Sequence, residues 1–262
     1  MYDVAALGEL LIDFTCLTTD ADGYPTMAAH PGGAPANYLA ALTKFGAKTA
    51  MIGKVGNDAF GRLLIKTLKG AGIGTRGMLV SDDVFTTLAF VTLDDSGDRE
   101  FSFARKPGAD TQLRYDEIDL GVIDASKVLH FGTLSMTNEP ARDSTYRAVE
   151  YAAGRGKLIS FDPNLRKPLW DDLEEAKRQM LWGLQHADVV KISDEETEFL
   201  FGLAPEAAAK HIIDSFGVRL VYVTCGAEGC YYSTKTASGF VKALSGIAVK
   251  DTTGAGDIFG GS

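Results

Sequence analysis

Cysteine and histidine are scarce in this 262-residue chain. It has three cysteines, Cys16, Cys225 and Cys230, which form no CxxC pair, and four histidines. These residues supply no convincing zinc cluster. We expect Cys225 and Cys230, which lie in an apolar strand-like region, to be small buried hydrophobic residues.

Long apolar runs and an excess of basic residues are also missing. No apolar run approaches the ~18 residues that span a bilayer, and the first residues lack the basic-then-apolar order of a signal peptide. We therefore expect a cytoplasmic protein that does not bind membranes. The formal net charge is −9, which argues against a nucleic-acid surface. A nucleotide can still bind if local amides, a few Arg or Lys side chains and Mg²⁺ supply positive charge.

Two familiar nucleotide-binding signatures are absent from the sequence. The missing GxxxxGK[ST] motif excludes a P-loop enzyme, and the missing GxGxxG after the first strand disfavours a dehydrogenase. Any nucleotide site must therefore be built from other residues.

What is present is an alternation of strand-like and helix-like segments. The composition, 45% apolar and 23% charged, is that of a globular protein. Strands are predicted at 4–7, 49–55, 127–131, 157–161, 188–192 and 220–224, and helices at 36–45, 60–68, 140–154, 171–186 and 194–201. This order predicts an α/β fold with a mostly parallel central sheet flanked by helices.

The middle of the chain departs from this alternation. Residues 87–93 and 100–104 flank a turn with Gly97, which predicts a β-hairpin. With residues 15–31 it could form a small β-lid. The predicted division is a core of 1–14, 32–86 and 106–262, and a lid of 15–31 and 87–105.

Polar segments follow the predicted strands, where ligands gather in open α/β sheets. They are 8–13, 31–37, 162–166, 191–196, 224–229 and 251–257. Each also has an ordinary explanation: Gly32 and Gly33 can serve a tight turn, and Ser193 can be a helix N-cap. Their joint placement favours a site.

The segment 251–257, Asp-Thr-Thr-Gly-Ala-Gly-Asp, is the most informative. A Gly-rich turn before a helix start presents backbone N–H groups that can bind phosphate. Asp257 in the first turn is either a partner of the helix dipole or a base beside a bound phosphate.

Two motifs carry a family resemblance: Gly-Gly-Ala-Pro-Ala-Asn at 32–37 and the 251–257 segment. On these, supported by 54–61 and 105–110, the chain from Gly8 to Ser262 resembles the ribokinase-like, or PfkB, carbohydrate kinases, in the form seen in fructokinases. The resemblance implies a ribokinase-like fold and ATP-dependent phosphorylation of a sugar primary hydroxyl, above all D-fructose to fructose 6-phosphate.

The resemblance also implies roles for individual residues. Asp257 would be the general base, and the amides of Gly254, Ala255 and Gly256 the anion hole. The sugar would be held by Asp13, Gly32, Gly33, Asn37, Arg105 and Arg166.

The implied cofactors are ATP and Mg²⁺, with K⁺ as a further candidate. The nucleotide side would comprise Ser193, Glu196, Thr224, Gly226 and Gly229. Glu196 would order Mg²⁺ through water, and Ser193 replaces the asparagine of the family's Asn-x-x-Glu motif. Asp251 and Thr253 match positions that bind a monovalent cation.

Some alternatives stay open. A 2-keto-3-deoxygluconate kinase shares the Asp-Pro-Asn-Leu-Arg motif at 162–166 but usually lacks the Pro-Ala after the glycine pair. A non-catalytic sugar-binding protein with the kinase fold is a different class. Family members continue well past the position of Asp257, so we expect a longer native chain. We also expect a homodimer through the lid.

Overall fold

A computed structural model describes residues 1–93, 99–246, 252 and 254–262. A nine-stranded sheet runs through it in the order β13-β12-β11-β10-β9-β8-β1-β4-β5. Its strands are β1 (Tyr2–Leu7), β4 (Thr49–Gly56), β5 (Gly74–Ser81), β8 (Ser126–Gly132), β9 (Leu158–Asp162), β10 (Val189–Ser193), β11 (Leu220–Thr224), β12 (Gly229–Ser233) and β13 (Ser238–Lys242). The seven strands from β11 to β5 pair in parallel, and β12 and β13 are antiparallel.

Eight helices accompany the sheet in the described residues. They are α1 (Ala34–Lys44), α2 (Ala59–Gly70), α3 (Leu120–Asp124), α4 (Ala141–Gly154), α5 (Leu173–His186), α6 (Asp194–Phe201), α7 (Pro205–Phe216) and α8 (Ala255–Gly260). One apolar cluster centres on Phe131, Phe161 and Ile192, and a second on Leu39, Met51 and Leu64. The predicted α/β class with a mostly parallel sheet is therefore confirmed. None of the described helices is long and apolar enough to cross a membrane.

A second sheet of four strands has the order β3-β2-β6-β7. It consists of β2 (Leu11–Thr19), β3 (Pro25–Gly32), β6 (Leu88–Leu93) and β7 (Arg99–Ala104). The predicted hairpin is confirmed as the antiparallel pair β6–β7, while its turn at 94–98 lies outside the described residues. The sheet begins at Leu11 and ends its second strand at Gly32, beyond the predicted lid limits of 15 and 31. We call this sheet the lid sheet; the division into core and lid stays a prediction.

Several elements lie where no local sequence pattern predicts them. The strand β5 carries two glycines, and the helices α3 and α7 and the strand β13 were not predicted. The residue expected to open the helix predicted at 36–45 is confirmed. Pro35 stands in the first turn of α1, as its fixed φ allows.

Candidate active site

Two helices begin side by side at the carboxyl edge of the central sheet. Gly33 precedes α1 with φ 114°, and Gly254 precedes α8 with φ 70°. These values lie in the region that favours glycine. The Glu9 carboxylate, directly after β1, accepts a hydrogen bond from the Ala34 amide at 2.9 Å. The start of α1 is thereby tied to the end of β1.

The Asp257 carboxylate is fixed where these two helices meet. The side-chain amide of Asn37 donates from Nδ2 to Asp257 Oδ2 at 2.9 Å, and Asp257 is buried. A Cβ on Gly254 would stand 3.0 Å from the same Nδ2. Asn37 lies in α1 and Asp257 in α8, 220 residues further along the chain. This hydrogen bond therefore ties the two helices together.

A small polar cavity of about 160 Å³ opens beside Asp257. Its lining is Glu9, Leu11, Asp13, Gly33, Ala34, Asn37, Val91, Phe103, Leu134, Asn164, Arg166, Thr252, Gly254 and Asp257. Burial raises the pKa of Asp13, and the charge of Asp257 adds to this while Arg166 opposes it. Carboxylates, amides and one guanidinium around so small a volume suit a ligand rich in hydroxyl groups. We call this the first cavity.

A second cavity of about 360 Å³ shares five lining residues with the first: Asn164, Arg166, Thr252, Gly254 and Asp257. The rest of its lining includes Lys167, Lys191, Ser193, Asp194, Glu195, Glu196, Thr224, Gly226, Ala255 and Gly256. Cationic side chains and carboxylates in one cavity suit phosphate groups together with a metal ion.

A third cavity of about 630 Å³ adjoins the second, sharing Thr224, Gly226, Ala255 and Gly256. Its other lining residues are mainly apolar: Tyr222, Gly229, Cys230, Tyr232, Val241, Lys242, Ala243, Leu244 and Phe259. The three cavities thus form a series, from polar through charged to apolar, with Asp257 on the boundary between the first two.

The Glu196 carboxylate joins two loops beneath the second cavity. Its Oε1 accepts from the Leu165 amide at 2.7 Å, and its Oε2 accepts from the Ser193 amide at 2.8 Å. Ser193 Oγ in turn accepts from the Glu196 amide at 3.2 Å, which completes a capping box. Ser193, which stands where the family motif has asparagine, thus serves as the N-cap of α6.

No group of three or more acidic, histidine or cysteine side chains in the described ranges could hold a metal by itself. Mg²⁺ commonly keeps its waters and binds through one or two carboxylates and substrate phosphates. The Glu196 carboxylate, beside Asp194 and Glu195, therefore fits Mg²⁺ held through water. Asp251 and Thr253, predicted for a monovalent cation, lie outside the described residues.

Most predicted site residues come together. Asp13, Gly33, Asn37, Arg166, Gly254 and Asp257 line the first cavity; Ser193, Glu196, Thr224, Gly226, Ala255 and Gly256 line the second; and Gly229 lines the third. Gly32 lies just outside, with the Asp13 carboxylate packed against it. Of the three amides predicted as an anion hole, that of Ala255 donates to Thr252 O at 3.1 Å in this structure.

Arg105, predicted to hold the sugar, is absent from the lining of all three cavities. Its buried guanidinium donates from Nε to Asp110 at 2.8 Å, from Nη1 to Thr137 Oγ1 at 2.7 Å and from Nη2 to Leu134 O at 2.8 Å. These bonds occupy all three nitrogens, so the geometry gives its predicted role in sugar binding no support.

Among the lining residues that the sequence reasoning missed are Glu9, Asn164, Lys191 and Phe103. Glu9 and Asn164 follow strands and Lys191 lies near the end of one, so position alone could have selected them. Asn164 stands at φ 47°, which asparagine tolerates, and only a turn was inferred there. Nothing in the sequence shows that Phe103 of β7 reaches the first cavity.

Comparison with known proteins gives this site its class. Residues 1–262 match the pfkB family of carbohydrate kinases. Probable fructokinase-4 of Arabidopsis thaliana is 43% identical over 263 residues, which cover 99% of this chain and 80% of the relative. The chain therefore belongs to the pfkB carbohydrate kinase family.

Solved structures of fructokinases are also similar to this chain. The structure of Xylella fastidiosa fructokinase with bound ATP has a TM-score of 0.90 at 31% identity and covers all of this chain and 80% of its own. A double mutant of Vibrio cholerae O395 fructokinase, with fructose, ADP and potassium ion bound, has a TM-score of 0.87 at 33% identity, covering 100% and 82%. Together with the family match, these likenesses make the chain a sugar kinase of the fructokinase-like type.

Proposed function

We propose that this kinase transfers the terminal phosphoryl group of ATP to a primary hydroxyl of D-fructose, giving fructose 6-phosphate and ADP. The observation that carries the proposal is the place of Asp257 on the boundary of the first and second cavities. A hydroxyl group in the first cavity and a phosphoryl group in the second can both reach that carboxylate. The likeness to fructokinases supports fructose as the acceptor.

The proposed chemistry follows from that placement. Asp257 accepts the proton of the sugar hydroxyl while the hydroxyl oxygen attacks the terminal phosphorus of ATP. The bond from that phosphorus to the bridging oxygen breaks, and ADP leaves. Phosphoryl transfer depends mainly on positioning and electrostatic stabilisation. The amides at Gly254, Ala255 and Gly256 and the Arg166 guanidinium would stabilise charge on the phosphoryl oxygens.

ATP would occupy the second and third cavities, with its phosphates beside Arg166 and its base among the apolar residues around Tyr222 and Phe259. Mg²⁺ held through water on Glu196 would neutralise phosphate charge. Asp13 and Asn37 would hold sugar hydroxyls in the first cavity.

The experiment is a coupled ADP-release assay with MgATP and a panel of fructose, glucose, ribose and 2-keto-3-deoxygluconate. Fructose should give the highest kcat/KM, and ³¹P NMR should place the product phosphate on C6. A higher kcat/KM with 2-keto-3-deoxygluconate would replace fructose as the substrate. Sugar binding by calorimetry without ADP release from any sugar would instead indicate a non-catalytic protein.

We also propose that the lid sheet pairs with that of a second copy. The strands β3 and β7 stand at its edges, and the side chains of Leu17 and Tyr24 are largely exposed. Unpaired strand edges and exposed apolar residues invite pairing. Sedimentation should show a dimer at micromolar concentration, and a monomer with and without fructose and MgATP would refute this proposal.

A further inference from the structure

A buried ion pair lies between two central strands, against the start of α8, the helix that carries Asp257. The strands β9 and β10 are parallel, with Val190 opposite Phe161, so Lys191 and Asp162 emerge next to each other. Lys191 Nζ stands 3.1 Å from Asp162 Oδ2, and the two side chains are 11% and 7% exposed.

The ammonium group lies directly against the predicted anion hole. A Cβ built on Gly256 would be 2.9 Å from Lys191 Nζ, so the absence of a side chain there lets the ammonium approach the loop. Lys191 also lines the second cavity together with Gly254, Gly256 and Asp257. Its charge therefore sits where the phosphoryl group would be transferred.

The surroundings keep this lysine charged. Burial disfavours the ammonium, but the carboxylates of Asp162, Glu196 and Asp257 outweigh that effect and raise the pKa of Lys191. An ammonium has three N–H donors. In the described part of the chain, the only hydrogen-bond acceptor within reach of Nζ is Asp162. A ligand in the second cavity could therefore accept a further hydrogen bond.

A second buried lysine shows what a purely structural pair looks like here. Lys54 Nζ donates to both oxygens of Glu117 at 2.8 Å and to Gln112 O at 3.1 Å. All three of its donors are used within the protein, and it lines none of the three cavities. Lys191 differs in both respects.

We propose that Lys191 is a further phosphate-binding residue of this site, with Asp162 as the residue that positions its ammonium group. The proposal rests on the proposed kinase function: the ammonium would donate to an oxygen of the transferred phosphoryl group in the cavity that Arg166 also lines. Asp162 accepts from the Asn164 amide at 3.2 Å as well, so one carboxylate orders both the lysine and the loop before Arg166.

The test compares three variants with the wild-type chain. Lys191→Met removes the charge and keeps the length of the side chain. Asp162→Asn combined with Lys191→Met removes both charges, so no carboxylate is left buried without its partner. Lys54→Met is the matched control, because it also removes a buried lysine from a carboxylate. Thermal midpoints, kcat, and KM for fructose and MgATP are measured for each.

We expect Lys191→Met to lower kcat by about 10²–10³-fold, the effect of losing one transition-state donor, with KM for fructose within about threefold. The double variant should recover thermal midpoint but keep a kcat at least about tenfold below wild type. Lys54→Met should lose thermal midpoint and keep its kcat. If Lys191→Met fails to fold, the kcat of the double variant alone decides, with the same tenfold limit.

A kcat less than about tenfold below wild type in the double variant would show that Lys191 serves only to balance Asp162, while the kinase function stands. If the wild type releases no ADP with any sugar, the kinase function fails separately. The lysine is then judged by calorimetric titration with MgATP and MgADP. A preference for MgATP over MgADP that falls by about tenfold or more in the double variant, as expected for a lost charged hydrogen bond, supports the proposal, and a smaller fall overturns it.

Discussion

Replacing Asp257 with asparagine tests the central assignment most directly. Asn37 donates to Oδ2 of Asp257, so in the Asp257→Asn variant the new amide should turn its oxygen toward Asn37. Its NH₂ group then occupies the place of the other carboxylate oxygen, and an NH₂ group cannot accept a proton from the sugar. Loss of a general base costs about 10²–10⁴-fold in rate, or about 2.7–5.5 kcal/mol at about 1.36 kcal/mol per tenfold.

The assay is fructose-dependent ADP release under saturating MgATP, with fructose affinity measured separately by calorimetry. The fructose Kd should change by less than about threefold, because the shape of the side chain is kept. Asp214→Asn is the matched control, since Asp214 forms an exposed ion pair with Lys210 on α7 and lines none of the three cavities. A kcat of Asp257→Asn within about tenfold of wild type would refute the role of Asp257 as the base.

Three further outcomes follow from the structure. Asn37→Asp replaces the donor to Asp257 Oδ2 with a second carboxylate, and because the two like charges repel, fructose-dependent kcat/KM should fall; an unchanged kcat/KM would contradict this. Burial raises the pKa of Glu9 from 4.5 to about 7, so the folded protein favours the neutral form of this side chain. The resulting contribution to the free energy of unfolding is fully present below pH 4.5 and is lost as the pH rises through 7. Wild type should therefore lose about 3 kcal/mol relative to Glu9→Gln across this interval, at about 1.36 kcal/mol per pH unit, and parallel curves of unfolding free energy against pH would contradict this. Gly183→Ala should cost about 1–3 kcal/mol, because its Cβ would overlap the Phe161 ring, whereas Gly154→Ala in open space should not lower the thermal midpoint; equal midpoints for the two variants would refute the clash.

Local signals in the sequence explain the parts of the fold that were predicted. Pro35 and Gly46 mark a helix by their backbone preferences, and the apolar run before Gly8 marks a buried strand. The strand β5 has no such signal, since it contains Gly74 and Gly77 and is only partly buried. It is a strand because β4 offers it a partner.

The candidate site also contains residues that local sequence patterns predict and residues that they do not. Gly33, Gly254 and Asp257 belong to compact motifs, and such motifs can be recognised from neighbouring letters. The pairing of Lys191 with Asp162 depends on the register of β9 against β10, which no local pattern states. Arg105 also shows the limit: its place at the sugar was implied by the family resemblance alone, and the local sequence did not predict the buried ion pair of its guanidinium with Asp110.

The root of the lid sheet has a mechanical consequence. Leu11 and Ile12 are buried, and the Ile12 amide donates to Thr87 O at 3.1 Å, so β2 is clamped at one end while Thr19 at its other end is exposed. At about 3.3 Å per residue β2 extends about 26 Å from Leu11 to Thr19. A bend of about 10° at the clamp would carry Thr19 through about 4–5 Å and Asp13 through only about 1 Å, by the ratio of the two arm lengths. Because β2 is paired with β3 and β6, the lid sheet would bend as a unit. Its clamped end carries a carboxylate of the first cavity, so such a bend would displace Asp13 far less than Thr19.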